Sequence, residues 1–195
     1  HLHLDHSADA NVVMDFAIRK RMPVKIFAPK SVFTSKTVDD FHSARKTRFP
    51  VLHNSTIINS HKVFDLGDGT KMSFIKLHHG VECYGFKLQN HEKTVVYISD
   101  TGPIRGLRNF VKGGDVLIVN IDSFLPGKNS KTHLSVVDFL REIDGLKFAK
   151  IILAHINPRG ELEPAEWGEK IAKYVELKTG VKTIYPGTRG VSVDF

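Results

Sequence analysis

Cysteine is almost absent from this chain. Cys83 is the single one among 195 residues, which excludes an internal disulfide and favours a reducing, cytoplasmic compartment. Long apolar runs are lacking too, so no segment is expected to span a bilayer. No internal repeat, low-complexity tract or long linker occurs, which excludes a repeat array. A signal peptide is also lacking. The chain begins without a methionine and inside a motif, so an upstream segment, and any targeting signal with it, is expected to precede His1.

What the chain does contain is enough apolar material for a core and an excess of positive charge. Hydrophobic residues make up 41% of it, which excludes disorder. Its length suits one domain, running over 1–195. Lys and Arg number 28 against 21 Asp and Glu, a formal charge of +7, and the sequence pI is about 9.5. Such a surface favours anionic partners such as nucleotides, RNA or phosphate esters, although charge speaks to attraction and not to fold.

Strand-like runs alternate with helical patterns, which reads as α/β. Val12, Val13, Phe16 and Ala17 form an apolar stripe at helical spacing. "PVKIFAP" reads as a buried strand between Pro23 and Pro29. "KVFDLGDGTKMSFIKL" reads as a hairpin turning at Gly67, Asp68 and Gly69, and "YGFKLQNHEKTVVYISD" as a second strand pair. "DVLIVNID" is a continuous apolar run, expected as a central strand. Val136, Val137, Leu140 and Ile143 mark an amphipathic helix. "AKIILAH" is another buried strand. Pro164 and Gly180 bracket a helix with an apolar face of Trp167, Ile171, Tyr174 and Val175, and "GVSVDF" reads as a closing strand. The stretch from Phe33 to Ser60 carries Arg45, Lys46 and Arg48 with Phe41 and Phe49. It reads as a substrate-facing loop and helix or as a solvated excursion.

The first six residues, "HLHLDH", crowd three imidazoles and a carboxylate together: His1, His3, Asp5 and His6. In an extended segment alternate residues point the same way, so His1, His3 and Asp5 are expected on one face, with His6 brought in by the following turn. Charged imidazoles so close would repel, and a bound cation removes that penalty. Zinc takes neutral imidazole and carboxylate ligands, usually four per ion. Further candidates end apolar runs: His79 after "MSFIKLH", Asp100 in "VVYISD" and His155 in "KIILAH". Such strand ends are where an α/β sheet presents ligands to a crevice. Each residue alone fits a cap or a turn equally well, and it is their joint occurrence with the opening cluster that points to a metal site.

With "HLHLDH", "LHHGVECYGF", "ISDTG" and "LAHINP" in this order and spacing, the chain resembles the metallo-β-lactamase-fold hydrolases from His1 almost to its C-terminus. The resemblance implies an αββα sandwich with the metals at one edge of two packed sheets. The strands that precede the opening motif in that family are missing from this chain. Carried over residue by residue, His1, His3 and His79 would hold one metal. Asp5, His6 and His155 would hold the second, with Asp100 bridging the two. His78 is the alternative to His79, although the pattern around "HHGV" matches better with His79.

Within that family the chain looks most like the branch containing tRNase Z and small phosphodiesterases. "KTHLS" resembles a signature of that branch, which would set His133 near the scissile phosphate as a phosphate contact or proton donor. Asp122, ending "LIVNID", stands where the branch has an acidic residue that orients this histidine and raises its pKa. The resemblance implies a metal-dependent phosphodiesterase. Two metals would share a water and lower its pKa so that hydroxide forms near neutral pH. Asp5 and Asp100 would position it, and His133 would protonate the leaving alkoxide. Zinc is the default for so many imidazoles, and manganese or iron would fit the mixed set.

The long Gly/Pro-rich arm of tRNase Z is not found in this sequence, which moves the expectation towards a small diester such as a cyclic nucleotide. The charge suits RNA as well. A tRNase Z-like endoribonuclease processing tRNA 3′ ends is the main alternative. A thioesterase or lactamase-type hydrolase and a binding module without turnover are the others. A homodimer is expected from the resemblance.

Overall fold

In the computed structural model, which describes residues 1, 3–7, 9–22, 24–34, 55–128, 131–157 and 163–186, the chain leaves the extended state just after His3. Leu4–Ser7 is a single helical turn, α1. It is closed by the His6 amide donating to the His3 carbonyl at 3.0 Å, and the Ser7 hydroxyl donates to the same carbonyl at 3.0 Å. The expected alternation therefore stops at His3. His1 and His3 point to one place, while the turn rotates Asp5 and His6 towards another.

Next come α2 (Ala10–Arg19), β1 (Ile26–Ala28), α3 (Lys30–Thr34) and β2 (Ser55–Ile57). β1 and β2 pair in parallel as a small separate sheet. The strand expected in "PVKIFAP" thus shortens to three residues and is only partly buried. The apolar stripe of α2 is corrected more strongly. Ala17 is buried, but Val12, Val13 and Phe16 are exposed at 67%, 57% and 55%. Helical periodicity specifies that a face is apolar, and leaves open what covers it. Most of the stretch between Phe33 and Ser60 lies outside the described residues, as does the closing "GVSVDF".

The main sheet has seven strands in sequential order: β3 (Phe64–Gly67), β4 (Thr70–Leu77), β5 (Cys83–Gln89), β6 (Thr94–Ile98), β7 (Val116–Asn120), β8 (Lys150–Ala154) and β9 (Thr183–Ile184). β3 to β6 run antiparallel, and β6 to β9 run parallel. The β3–β4 hairpin turns where expected. Gly67, Asp68 and Gly69 all have positive φ, at 94°, 49° and 80°, a run that glycine and aspartate tolerate best.

The parallel half dictates the layering. Each step from β6 to β9 crosses over through a helix: α4 (Leu107–Val111), α5 (Val136–Ile143) and α6 (Pro164–Thr179). Right-handed crossovers that always advance the same way put all three helices on one face. Alternation along the strands then sorts the cores. Leu77, Cys83, Val96, Ile98, Leu117, Val119, Ile151 and Leu153 face the helices, and Met72 and Phe74 face the other side. That second core is closed by the small sheet, with Ile58 buried in it and Phe27 edge-on to Phe64 at 5.3 Å. The class is α/β with a sheet packed on a sheet and helices outside, as expected.

In α5 the buried apolar residues are Val136, Phe139 and Ile143, while Val137 is 39% exposed. Phe139, i+3 from Val136 and i−4 from Ile143, takes the place assigned to Val137. α6 starts with Pro164 and stops at Gly180, whose φ of 68° lets its amide return to the Glu176 carbonyl at 2.8 Å. No helix among the described residues is long and apolar enough to cross a membrane.

This topology gathers four strand ends at one edge. β4 and β6 run in the same sense, since β5 lies antiparallel between them, and β7 and β8 are parallel to β6. The residues at or just beyond the ends of β4, β6, β7 and β8 therefore emerge side by side. They are His78 and His79, Asp100, Asn120 to Asp122, and His155.

Candidate metal centre

Two groups of ligating atoms form at that edge. The first holds His1, His3, His79 and Asp100, and the second holds Asp5, His6 and His155. In the first, His3 Nδ1 lies 3.2 Å from His1 Nε2 and 2.9 Å from His79 Nε2. Asp100 Oδ2 is 3.8 Å from His1 Nε2 and 3.9 Å from His79 Nε2. In the second, Asp5 Oδ2 is 3.1 Å from His155 Nε2 and 3.4 Å from His6 Nε2.

Asp100 Oδ2 also reaches into the second group, at 3.1 Å from His6 Nε2 and 3.6 Å from His155 Nε2. Every residue expected in a ligand set is thus brought to its expected group, and Asp100 stands between the two. Of the adjacent histidines, His79 is the one turned inward. His78 is exposed. Its amide donates to Thr101 Oγ1 at 3.0 Å, which ties the end of β4 to the loop after β6.

The donor chemistry fits a cation. Ligands at about 2.0–2.1 Å around a tetrahedral ion stand about 3.3 Å apart, a value that lies within the 2.9–3.9 Å found between these nitrogens and oxygens. Protons alone cannot satisfy three ring nitrogens converging on one point, because each neutral imidazole carries a single N–H. The outer atoms set the tautomer at His79. Its Nδ1 lies 3.0 Å from the Thr132 carbonyl. A carbonyl only accepts, so Nδ1 carries the proton and Nε2 turns its lone pair inward. At His1, Nδ1 lies 3.3 Å from Cys83 Sγ.

Burial holds His3 and His79 below the ordinary histidine pKa, against the pull of Asp100. That keeps them in the neutral form a metal requires. Burial pushes the Asp100 carboxyl up, but contacts from His133, His6 and Asn120 outweigh it and hold the group far below the usual carboxylate range. His155 takes a positive φ of 58°, and its Nδ1 is buried without a partner among the described residues. Strained backbone of this kind concentrates at functional sites.

His133 belongs to neither group. Its ring stands edge-on to His79 at 4.9 Å and parallel to His155 at 6.1 Å. Its Nε2 is 3.7 Å from Asp100 Oδ2, and its Nδ1 is 3.1 Å from Thr132 Oγ1. Asp122 is buried just past the end of β7. The Asp122 amide donates to the Leu134 carbonyl at 3.0 Å, and its Oδ1 is 3.5 Å from Asn157 Nδ2. Asp122 thereby fastens the loop that carries His133.

Three contacts had not been expected: the Thr132 carbonyl, the Cys83 thiol and Asn120, whose Nδ2 donates to Asp100 Oδ1 at 2.8 Å. Asn120 carries the same signal as Asp100, a polar residue ending an apolar strand. A backbone carbonyl carries none.

A mixed sheet with two histidine–carboxylate clusters facing each other across one aspartate is the layout of a metallo-β-lactamase-fold protein. The chain belongs to the β-lactamase superfamily, whose domain model matches residues 1–156. Among solved structures it is similar to the metallo-β-lactamase fold protein YhfI from Bacillus subtilis. The identity there is 17% and the TM-score 0.73, over 96% of this chain and 72% of that one. It is also similar to Igni18, a metallo hydrolase from Ignicoccus hospitalis, at 15% identity and a TM-score of 0.65, over 100% and 77%. Zn(2+)-bound PqqB from Methylobacterium extorquens follows at 13% and 0.64, over 92% and 67%. At these identities the likeness is one of fold. No curated protein matches in sequence.

Proposed function

We propose that this chain is a metal-dependent phosphodiesterase acting on a small diester such as a cyclic nucleotide. The observation that carries the reading is His133, a sixth imidazole outside both ligand groups, with Nε2 3.7 Å from Asp100 Oδ2. His1, His3 and His79 would hold one divalent ion, Asp5, His6 and His155 the other, and Asp100 both. Zinc suits this donor set best. When bound, such ions supply charge that acidifies water and offsets the charge of a phosphodiester.

The residues do the rest. Asp5 and Asp100 accept hydrogen bonds from the attacking water and orient it. His133 Nε2 gives a proton to the departing ribose oxygen, a role whose typical worth is about 10²–10⁴ in rate. Thr132 and Asp122 hold the loop that aims it. A carbonyl substrate with a good leaving group has less need of that proton, which sets a thioesterase or lactamase reading behind this one. The charge of +7 also suits an RNA substrate; the same reading includes a homodimer.

The test is a hydrolysis screen of zinc- or manganese-loaded protein against cyclic mononucleotides, bis(p-nitrophenyl) phosphate, a 3′-extended pre-tRNA and an acyl thioester. Turnover of the cyclic nucleotides is expected. Turnover of the thioester alone would overturn the reading, and cleavage of the pre-tRNA alone would replace it with the endoribonuclease.

A further inference from the structure

We propose that Asn120 is a positioning residue that holds the Asp100 carboxylate with Oδ2 turned towards both ligand groups. The inference rests on the dinuclear reading above and concerns how the shared carboxylate is held.

An ionised carboxylate offers two oxygens and about four lone-pair directions. In Asp100 the two oxygens are divided. All five histidine contacts fall on Oδ2: His6 at 3.1 Å, His155 at 3.6 Å, His133 at 3.7 Å, His1 at 3.8 Å and His79 at 3.9 Å. Oδ1 faces the protein and accepts from Asn120 Nδ2 at 2.8 Å. Both residues are almost wholly buried, at 2% and 4% exposure, so water is not at hand to replace that bond.

The amide orientation follows from chemistry. A carboxylate cannot donate, so the NH₂ group must face Asp100, and the amide oxygen is left for the Tyr97 hydroxyl, 3.5 Å away. Asn120 is the last residue of β7 and pairs with Ala154, the residue before His155. The sheet register therefore fixes Asn120 relative to a ligand on the neighbouring strand.

Removal of the donor frees Oδ1. The carboxylate could then rotate about its Cβ–Cγ bond, and Oδ2 would no longer be held facing both groups, which would loosen the hold on one ion or change the spacing of the pair. Outer partners of metal ligands are worth about 10–100-fold in affinity or activity.

The experiment is a manganese(II) titration followed by electron paramagnetic resonance. Free ion is counted at room temperature, and magnetic coupling within the bound pair is read at low temperature. Wild type is expected to bind two ions with a coupled spectrum. Asn120→Leu keeps the volume and removes the donor. It is expected to weaken the second ion about 10–100-fold, to change the coupling, and to lower kcat on bis(p-nitrophenyl) phosphate at saturating manganese. Tyr97→Phe, which only loosens the amide, is expected to move the same readouts less. Should Asn120→Leu fail to fold, Asn120→Ala and Tyr97→Phe carry the comparison.

A folded Asn120 variant with wild-type affinities and coupling would overturn this inference alone. Wild-type protein that binds fewer than two ions would overturn the dinuclear reading and this inference with it.

Discussion

His79 donates from Nδ1 to the carbonyl of Thr132, across 3.0 Å, and so ties a candidate metal ligand to the residue next to His133. The inner nitrogen of His79 faces the cluster while its outer nitrogen holds the loop. Metal binding and placement of the proposed proton donor are therefore linked through one imidazole. Zinc uptake should slow backbone amide exchange across residues 131–135 well beyond its effect on the β3–β4 hairpin at the far end of the sheet. His79→Ala should abolish that difference. Equal protection of both segments on zinc addition would show that the loop does not sense the site.

Asp100→Ala should leave at most one tightly bound metal and no measurable turnover. Asp100 Oδ2 lies within 4 Å of nitrogens from both ligand groups. Without it two cations would repel across the gap with no negative charge between them. Elemental analysis of the purified variant, beside the rate, checks this. Two metals at full occupancy would remove Asp100 from its bridging position.

The metal-stripped protein should gain stability as pH rises from 5 to 8. Burial holds His3 and His79 below the ordinary value. In the unfolded chain they take up protons near pH 6.5, while in the fold they resist until a lower pH. Between those values the unfolded state binds more protons, and stability rises with pH there. A carboxylate shifted in the same direction adds to the rise further down. Asp100 is depressed in the fold, so its contribution is complete above the unfolded carboxylate value and fades as pH falls through and below it. Thermal melts in a chelator at half-unit steps give the profile, and a flat one between pH 5 and 8 would contradict it.

Much of this site was legible because ligation constrains sequence locally. Four candidate ligands fall in six residues, and His79, Asp100 and His155 each terminate an apolar run that the sheet must bury. Which group each residue joins depended on the turn at Leu4, which no alternation rule anticipates. In the fold, the exposed stripe of α2 and the outward Val137 show the same limit. Periodicity names a face, and tertiary packing selects its centre, as Phe139 does in α5. The β1–β2 pairing was not legible either, because short partly buried strands lack a continuous apolar run. Asn120 was missed for a different reason. Asp122, two residues on, offered a stronger chemical signal at the same strand end, and only the 2.8 Å bond from Asn120 Nδ2 shows which of them reaches Asp100.

His133→Ala should lower the rate on a cyclic nucleotide about 10²–10⁴-fold while metal content stays at the wild-type level. The ring stands outside both ligand groups, yet its Nε2 approaches Asp100 Oδ2 to 3.7 Å. It is near enough to act where charge develops and does not complete either cluster. The loss should depend on the leaving group. A p-nitrophenolate departs without a proton, whereas a ribose alkoxide needs one, so bis(p-nitrophenyl) phosphate should be spared relative to the nucleotide. Equal losses on both would make His133 a phosphate contact, since binding charge does not sense the leaving group. No loss on either would return it to an ordinary loop residue. Asp122→Asn should give a milder defect of the same pattern. It leaves the Asp122 amide, and with it the 3.0 Å bond to Leu134, in place and changes only the charge beside the loop.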